Sequence, residues 1–412
     1  MFRQNPLLHD KNFVRIWISQ IASVMAIYIA NYALVLSLYK NTNSPLATSL
    51  LWIVYCLPIL LVGPMAATIV DLYNKKKILM ITNLLQSGLM VLLIFVHSKM
   101  FLVYGIVFFY SVINQLYQPS EASALPMLVK KEELTQANGL FFFSGQASSF
   151  AGIAIAGILF PIIGVNFSIA LCAVLLLVAF VAVSGLPEIL RQTHVSFEQG
   201  LVDFVKKMVE GYKYIKSNRL VLYAIILIGS MSITITLLAV NAPALADELL
   251  KINLETASTL IVLPALLGAL GGIYMLTRAT KNSKNGLRKR FVIERALLIL
   301  GLCFLALSIL TTYLPFGVRN YFVPVIVAII GACIASIQIP AQTFLQETTP
   351  KHMLGRLMGN VSFMITLMTV IPLVFSGVMG EFIGARSFIF LLAVVCGVGY
   401  YLLVKHPDAT DL

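Results

Sequence analysis

Apolar residues run along this chain in long blocks. They do not alternate, and they do not form the short amphipathic bursts of a water-soluble core. Twelve blocks stand out, at residues 14–39, 46–71, 78–98, 100–120, 137–163, 165–186, 219–243, 254–278, 291–313, 321–346, 357–380 and 383–404. Each has the roughly 20 residues that a helix needs to cross a hydrocarbon layer. In such a layer every backbone polar group must be satisfied within its own segment, so helices are predicted; the strands of a barrel would alternate. The expected fold is an all-α membrane protein with twelve transmembrane helices in two pseudo-symmetric six-helix bundles.

The longest polar break covers about residues 187–218. Within it Phe197, Leu201, Phe204, Val205, Met208, Tyr212 and Ile215 recur at three- and four-residue spacing, with Lys206, Lys207, Glu210 and Lys213 between them. That pattern predicts an amphipathic helix at a membrane surface. The expected domains are residues 1–186, a linker at 187–218, and residues 219–412. The halves echo each other at an offset of about 220 residues. Pro119-Ser120-Glu121 precedes Lys130-Lys131, and Pro340-Ala341-Gln342 precedes Lys351. Two similar halves with a site between them mark parallel-repeat carriers.

Composition agrees with the blocks. Of 412 residues 59% are hydrophobic and only 11% charged, against about 25% charged in soluble domains. The net charge of +12 would suggest nucleic acid in a soluble protein. Here the charge lies in loops and reads as topology. With the N-terminus inside, 23 Lys and Arg fall on that side and 5 on the other, which predicts cytoplasmic termini and an even helix count. The N-terminal residues are too polar for a secretory signal. The five cysteines all lie in apolar blocks without CxxC spacing, so buried free thiols are expected. The five histidines lack metal-ligand spacing, and no phosphate-binding loop occurs. No cofactor, metal or nucleic-acid partner is therefore expected. An enzyme would need paired acids or Ser/His groups at membrane depth, and the blocks lack them.

The polar groups within the blocks are mostly neutral. Tyr28, Asn31 and Tyr32 lie in the first, Asn114, Gln115 and Tyr117 in the fourth, Gln146 in the fifth, Asn241 in the seventh and Gln338 in the tenth. They offer hydrogen bonds and aromatic faces without fixed charge, which suits an amphiphilic cargo; helix-to-helix hydrogen bonding is the alternative role. Glu121 and Glu347 lie at the ends of the fourth and tenth blocks. Either could carry a proton or pair with Lys130, Lys131 or Arg356. Glu294 and Arg295 read as an interfacial pair. Small residues at four-residue spacing (Ser148, Gly152 and Ala156; Gly268 and Gly272) permit close helix approach.

The most specific stretch is 63–77, GPMAATIVDLYNKKK. An apolar helix ends there with Asp71 in its last turn, and three lysines follow a short turn. A charge at the hydrocarbon edge is a functional signal and needs a partner. This stretch resembles the loop motif between helices two and three of the major facilitator superfamily. Gly63, Asp71 and Lys75, Lys76 and Lys77 match the motif; Leu72 stands where Arg is usual, and Ala67 replaces the second Gly. PSEASALPMLVKKEELTQANGL, PAQTFLQETTPKHMLGRLMG and EGYKYIKSNRL resemble the bacterial branch that includes macrolide efflux and enterobactin export proteins. The resemblance covers nearly the whole chain. It implies a cavity lined by helices one, four, seven and ten, and a latch in which Asp71 meets the start of helix eleven near Gly355, Arg356 and Gly359. The expected function is secondary active efflux of small amphiphilic compounds, such as drugs or siderophores, by proton antiport across the bacterial inner membrane. The expected partners are the small-molecule substrate, a coupling proton and the lipid bilayer, with the protein a monomer. A facilitator, an importer, a lipid transporter or a non-transporting receptor or scaffold of the same fold are the alternatives.

Overall fold

A computed structural model describes residues 6–130, 133–189, 206, 209–210, 212–250, 258–282, 289–348 and 354–405. The described chain is helical almost throughout. In the first part run α1 (Lys11–Thr42), α2 (Pro45–Leu61), α3 (Gly63–Leu72), α4 (Lys75–Val96), α5 (Met100–Leu128) and α6 (Leu134–Ser184). In the second run α7 (Arg219–Ala244), α8 (Leu263–Asn282), α9 (Lys289–Tyr313), α10 (Phe316–Thr348) and α11 (Leu354–Lys405). Among the described residues eight helices are long and apolar enough to cross a membrane, and three shorter apolar helices accompany them. In the predicted linker, 212–217 is helical; Phe197, Leu201, Phe204, Val205, Lys207 and Met208 lie outside the described residues.

Start signals are local. Asp10 accepts from the backbone N–H of Asn12 (2.8 Å) and Phe13 (3.3 Å) ahead of α1. Asn74 caps α4 by accepting from Lys76 N (3.0 Å), and Asn218 caps α7 by accepting from Val221 N (3.3 Å). Each satisfies a donor that the first helical turn leaves unpaired.

Two glycines divide the longest helices. Gly164 (φ 75°) interrupts α6 and Gly384 (φ 79°) interrupts α11. Side-chain-bearing residues are strained at such angles and glycine is not. Each break therefore turns one long apolar run into two, and the second recurs 220 positions after the first. The sequence pattern placed the first break at residue 164 and the second two or three residues early.

The chain forms two compact units. One holds Met1–Ser37 and Ile53–Lys206; the other holds Leu38–Trp52 and Lys207–Leu412. The end of α1 and the start of α2 thus belong with the second unit, although the sequence pattern groups them with residues 1–186. The reason is steric. Gly377 of α11 leaves room for the first turn of α2: a Cβ there would lie 2.8 Å from Ser49 Cβ and 3.2 Å from Leu46 Cα. Ser44 Oγ adds a hydrogen bond to Glu381 Oε2 (2.8 Å).

Within each unit helices meet at small residues. Gly152 of α6 faces α1, where a Cβ would lie 2.9 Å from Tyr28 Cβ and 3.0 Å from Met25 O. Gly268 and Gly272 of α8 lie against the backbone of Ala328 and Ala332 in α10, and Gly331 lies against Ala265. Backbones approach this closely in membranes because dispersion contacts must replace the missing hydrophobic drive. Facing outward are large apolar side chains, including Phe95, Phe101, Tyr313, Tyr321 and Phe382. Four of them flank the α4–α5 and α9–α10 turns, the position of aromatic side chains at a membrane–water interface.

Gly268→Ala drives a methyl group into Ala328, and overpacking of that kind costs about 1–3 kcal/mol. At Gly271 nothing lies within 4 Å of an added Cβ, so Gly271→Ala stays within about 0.5 kcal/mol of the parent. Thermal unfolding in detergent compares them; equal midpoints contradict the close contact.

Candidate translocation site

In the first unit α1 carries the largest buried share of its apolar window, 78%, against 33–50% for the other seven candidate spans. Asn31 and Tyr32 are buried on it and Tyr28 is half-buried. Asn114, Gln115 and Tyr117 are buried on α5. Asn114 Nδ2 lies 3.5 Å from Tyr55 OH, and Ser111 Oγ donates to Tyr55 O (2.6 Å). Tyr110 is also buried on α5, and Tyr55 is half-buried on α2. Gln115 Nε2 is committed to Ser111 O of its own helix (3.1 Å). The result is a patch of phenol, amide and hydroxyl groups without fixed charge. Such groups offer hydrogen bonds and aromatic contact. Gln146 does not join it; its side chain is exposed on α6.

In the second unit Asn241 is buried on α7 and donates to Ser376 Oγ of α11 and to Leu237 O (2.9 Å). Its amide is occupied in holding helices together. Gln338 is half-buried on α10, and Glu347 is exposed near its end.

The sequence treated Lys75, Lys76 and Lys77 as one basic group. The structure separates them: Lys75 is buried, Lys76 half-buried and Lys77 exposed. Lys75 shares the packed face of α4 with Leu79, Asn83 and Gln86, and its Nζ donates to Tyr73 O (3.2 Å). The two-residue turn before it is tied down, because Lys75 N donates to Ile189 O (3.1 Å) and Asn74 Oδ1 accepts from Ile189 N (3.3 Å). Asp71 stands in the last turn of α3 and Gly355 and Arg356 in the first turn of α11; the side chains of Asp71 and Arg356 lie outside the described residues. Gly63 opens α3, where an added Cβ would lie 3.8 Å from Gln115 Oε1.

Of two acids, Glu121 and Glu294, the second has a partner that differs from the sequence reading. Glu121 accepts a hydrogen bond from Tyr117 OH (2.9 Å), and no ion pair reaches it among the described residues; Lys131 and the Arg356 side chain lie outside them. Glu294 pairs with Arg290 (2.6 Å), while Arg295 lies over the Phe291 ring (3.9 Å). Residues four apart on a helix face each other and adjacent ones do not.

Sequence reasoning passed over one whole face. Thr82, Asn83, Gln86 and Ser87 of α4 are all buried. Asn83 bonds to Ser19 and Ser23 of α1, and Ser87 Oγ donates to Ala173 O of α6 (3.0 Å). A second missed set joins α1 to α6: Trp17 Nε1 donates to Ser144 Oγ (2.8 Å), Ser144 Oγ to Gln20 Oε1 (2.9 Å), and Gln20 Nε2 to Phe141 O (2.8 Å). The signal was the three- and four-residue spacing of polar residues inside an apolar block.

Long apolar helices, glycine-mediated contacts and polar groups turned inward define a multi-pass helical membrane protein. The chain belongs to the Major Facilitator Superfamily, whose sequence profile matches residues 16–372. It is 22% identical over 408 residues to Macrolide efflux protein A of Streptococcus pyogenes, covering 93% of this chain and 95% of that protein. To the uncharacterized MFS-type transporter YfiS of Bacillus subtilis (strain 168) it is 22% identical over 400 residues, covering 96% and 92%. Among solved structures it is similar to the POT family transporter PepTSo (TM-score 0.70, 13% identity, 96% of this chain and 98% of that one). It is also similar to the nucleoside transporter NupG (TM-score 0.63, 11% identity, 95% and 98%).

Asn241→Ala strands the buried Ser376 hydroxyl and costs about 0.6–1.7 kcal/mol, the range for interhelical hydrogen bonds in membranes. Asn114→Ala removes only a contact at the limit of hydrogen bonding and leaves stability within about 0.5 kcal/mol. Thermal unfolding of the two variants side by side checks both values.

Proposed function

We propose that this chain is a secondary active exporter of small amphiphilic compounds, working by alternating access and driven by inward proton flow. Twelve transmembrane helices in two six-helix bundles, both termini in the cytoplasm of a bacterium and a monomeric carrier complete the reading. The observation that carries it is the uncharged group of Tyr55, Ser111 and Asn114 that joins α2 to α5. It offers hydrogen bonds and aromatic surface, which is the chemistry a macrolide-like or dye-like molecule requires. Nearly full-length similarity to Macrolide efflux protein A supports outward transport.

In this reading the two halves rock about the site. An inner latch closes when the site faces outward and opens when it faces inward. Its members are Gly63 at the start of α3, Asp71 at its end, Lys75, Lys76 and Lys77 at the start of α4, and Gly355 and Arg356 at the start of α11. The buried Lys75 and the tethered turn at Tyr73–Asn74 hold Asp71's helix end in a fixed place. The Asp71 charge then meets a partner only in the outward-facing state.

Expression in a drug-sensitive bacterial strain tests the function, with erythromycin and the amphiphilic cation ethidium as probes. The expected result is lower accumulation of at least one probe. Asp71→Asn should remain at the parent level in the membrane. It should export about tenfold more slowly, the rate equivalent of losing one charge-assisted contact. Normal export by Asp71→Asn removes the latch; unchanged accumulation of both probes with the parent protein present contradicts the cargo class.

A further inference from the structure

The hydroxyl, amide and phenol groups joining α1, α4 and α5 form a chain with one direction. Ser23 Oγ donates to Asn83 Oδ1 (3.1 Å), and Asn83 Nδ2 donates to Ser19 Oγ (3.4 Å). Ser19 Oγ lies 3.1 Å from Tyr117 OH, and Tyr117 OH donates to Glu121 Oε1 (2.9 Å). A phenol has one proton to give. Tyr117 gives its proton to Glu121, so Ser19 must be the donor to Tyr117. Every hydrogen from Asn83 onward therefore points toward Glu121. Chains aligned in this way polarise one another. Ser19, Asn83 and Tyr117 are buried, whereas Glu121 is half-buried.

We propose that Glu121 takes up and releases the coupling proton, and that the Tyr117–Ser19–Asn83 chain transmits its charge state into the packing of α1 and α4 against α5. This rests on the reading of the chain as a proton-driven exporter. Among the described residues the ionisable groups at these helix ends are His9, Asp10, Lys11 and Arg15 of α1 and its approach, Lys75, Lys76 and Lys77 of α4, Tyr117 and Lys130 of α5, and Glu133 ahead of α6. Asp10 caps α1, Arg15 bonds Gly185 O, and Lys75 bonds Tyr73 O. Among the described residues only Tyr117 bonds to the Glu121 carboxyl. Its partner Tyr117 belongs to an apolar cluster drawn from α1, α4, α5 and α6 that includes Phe13, Ile16, Leu79, Leu125 and Phe141. Among the described residues the carboxylate thus has a neutral partner and no cation, and a proton can neutralise it.

Uptake forms one O–H bond on the free Glu121 Oε2, with the proton drawn from water; release returns it to water. The Tyr117 bond to Oε1 changes from charge-assisted to neutral, which about halves its strength. That bond lies within α5; through it the Ser19–Tyr117 bond, which joins α1 to α5, loses polarisation and weakens on protonation and tightens on release. That gives a proton leverage on the helix that carries Tyr28, Asn31 and Tyr32.

The test uses the full chain in nanodiscs and infrared difference spectra between acid and alkaline pH, with the proton itself as probe. The expected result is a protonated-carboxyl band that is lost in Glu121→Gln and moves to higher frequency in Tyr117→Phe, where the carboxyl loses a donor. Ser19→Ala moves the same band less. A band pattern in Glu121→Gln identical to the parent overturns the proposal, as does an unmoved band in Tyr117→Phe. If Glu121→Gln fails to fold, Tyr117→Phe decides alone. Spectra as expected, together with ethidium movement in vesicles that ignores an imposed pH gradient, overturn Glu121 as the coupling site and remove the proton from the exporter reading.

Discussion

Water is absent from the interior of a bilayer, and the structure is organised by that one constraint. Backbone groups must bond within their own helices, so apolar runs become helices whatever their side chains prefer. Polar side chains on those helices must then find one another. Trp17, Gln20 and Ser144 do so between α1 and α6, Ser87 does so against the α6 backbone, and Asn241 and Ser376 do so between α7 and α11. Where no polar partner is offered, glycine takes its place. Gly152, Gly268, Gly272 and Gly331 let backbones touch, so that dispersion holds what hydrogen bonds do not.

Repetition and asymmetry coexist on this scaffold. The positive-φ breaks at Gly164 and Gly384 recur at the offset already visible in Pro119 and Pro340. The chemistry does not recur. Among the described residues the buried amides and hydroxyls are concentrated in the first unit, on α1, α4, α5 and α6. The second unit's buried polar groups, such as Asn241, Ser308 and Ser376, bond helix to helix.

Much of this was legible in the sequence. Run length marked the apolar helices and placed the break at residue 164, because the membrane makes hydropathy a direct reading of burial in lipid. Side-chain direction was less legible. Averaging over an apolar block hid the polar face of α4, although Thr82, Asn83, Gln86 and Ser87 sit at helical spacing. The same blindness made Lys75 look like Lys76 and Lys77, when helix rotation turns the first inward. Gln146 and Asn241 were chosen by residue type alone, and one faces outward while the other is spent on packing. The grouping of Leu38–Trp52 with the second unit depends on the missing side chain of Gly377, more than 300 residues away in the chain, which no local pattern encodes.

Transport by the purified chain alone is the most direct measurement of the central claim. Proteoliposomes would carry the protein, an imposed pH gradient and ethidium or erythromycin on the side corresponding to the cytoplasm. The account predicts that the compound moves against its gradient only while the pH gradient stands, with protons moving the opposite way. Movement that merely equalises concentrations, or that persists unchanged after the pH gradient is collapsed, would contradict it.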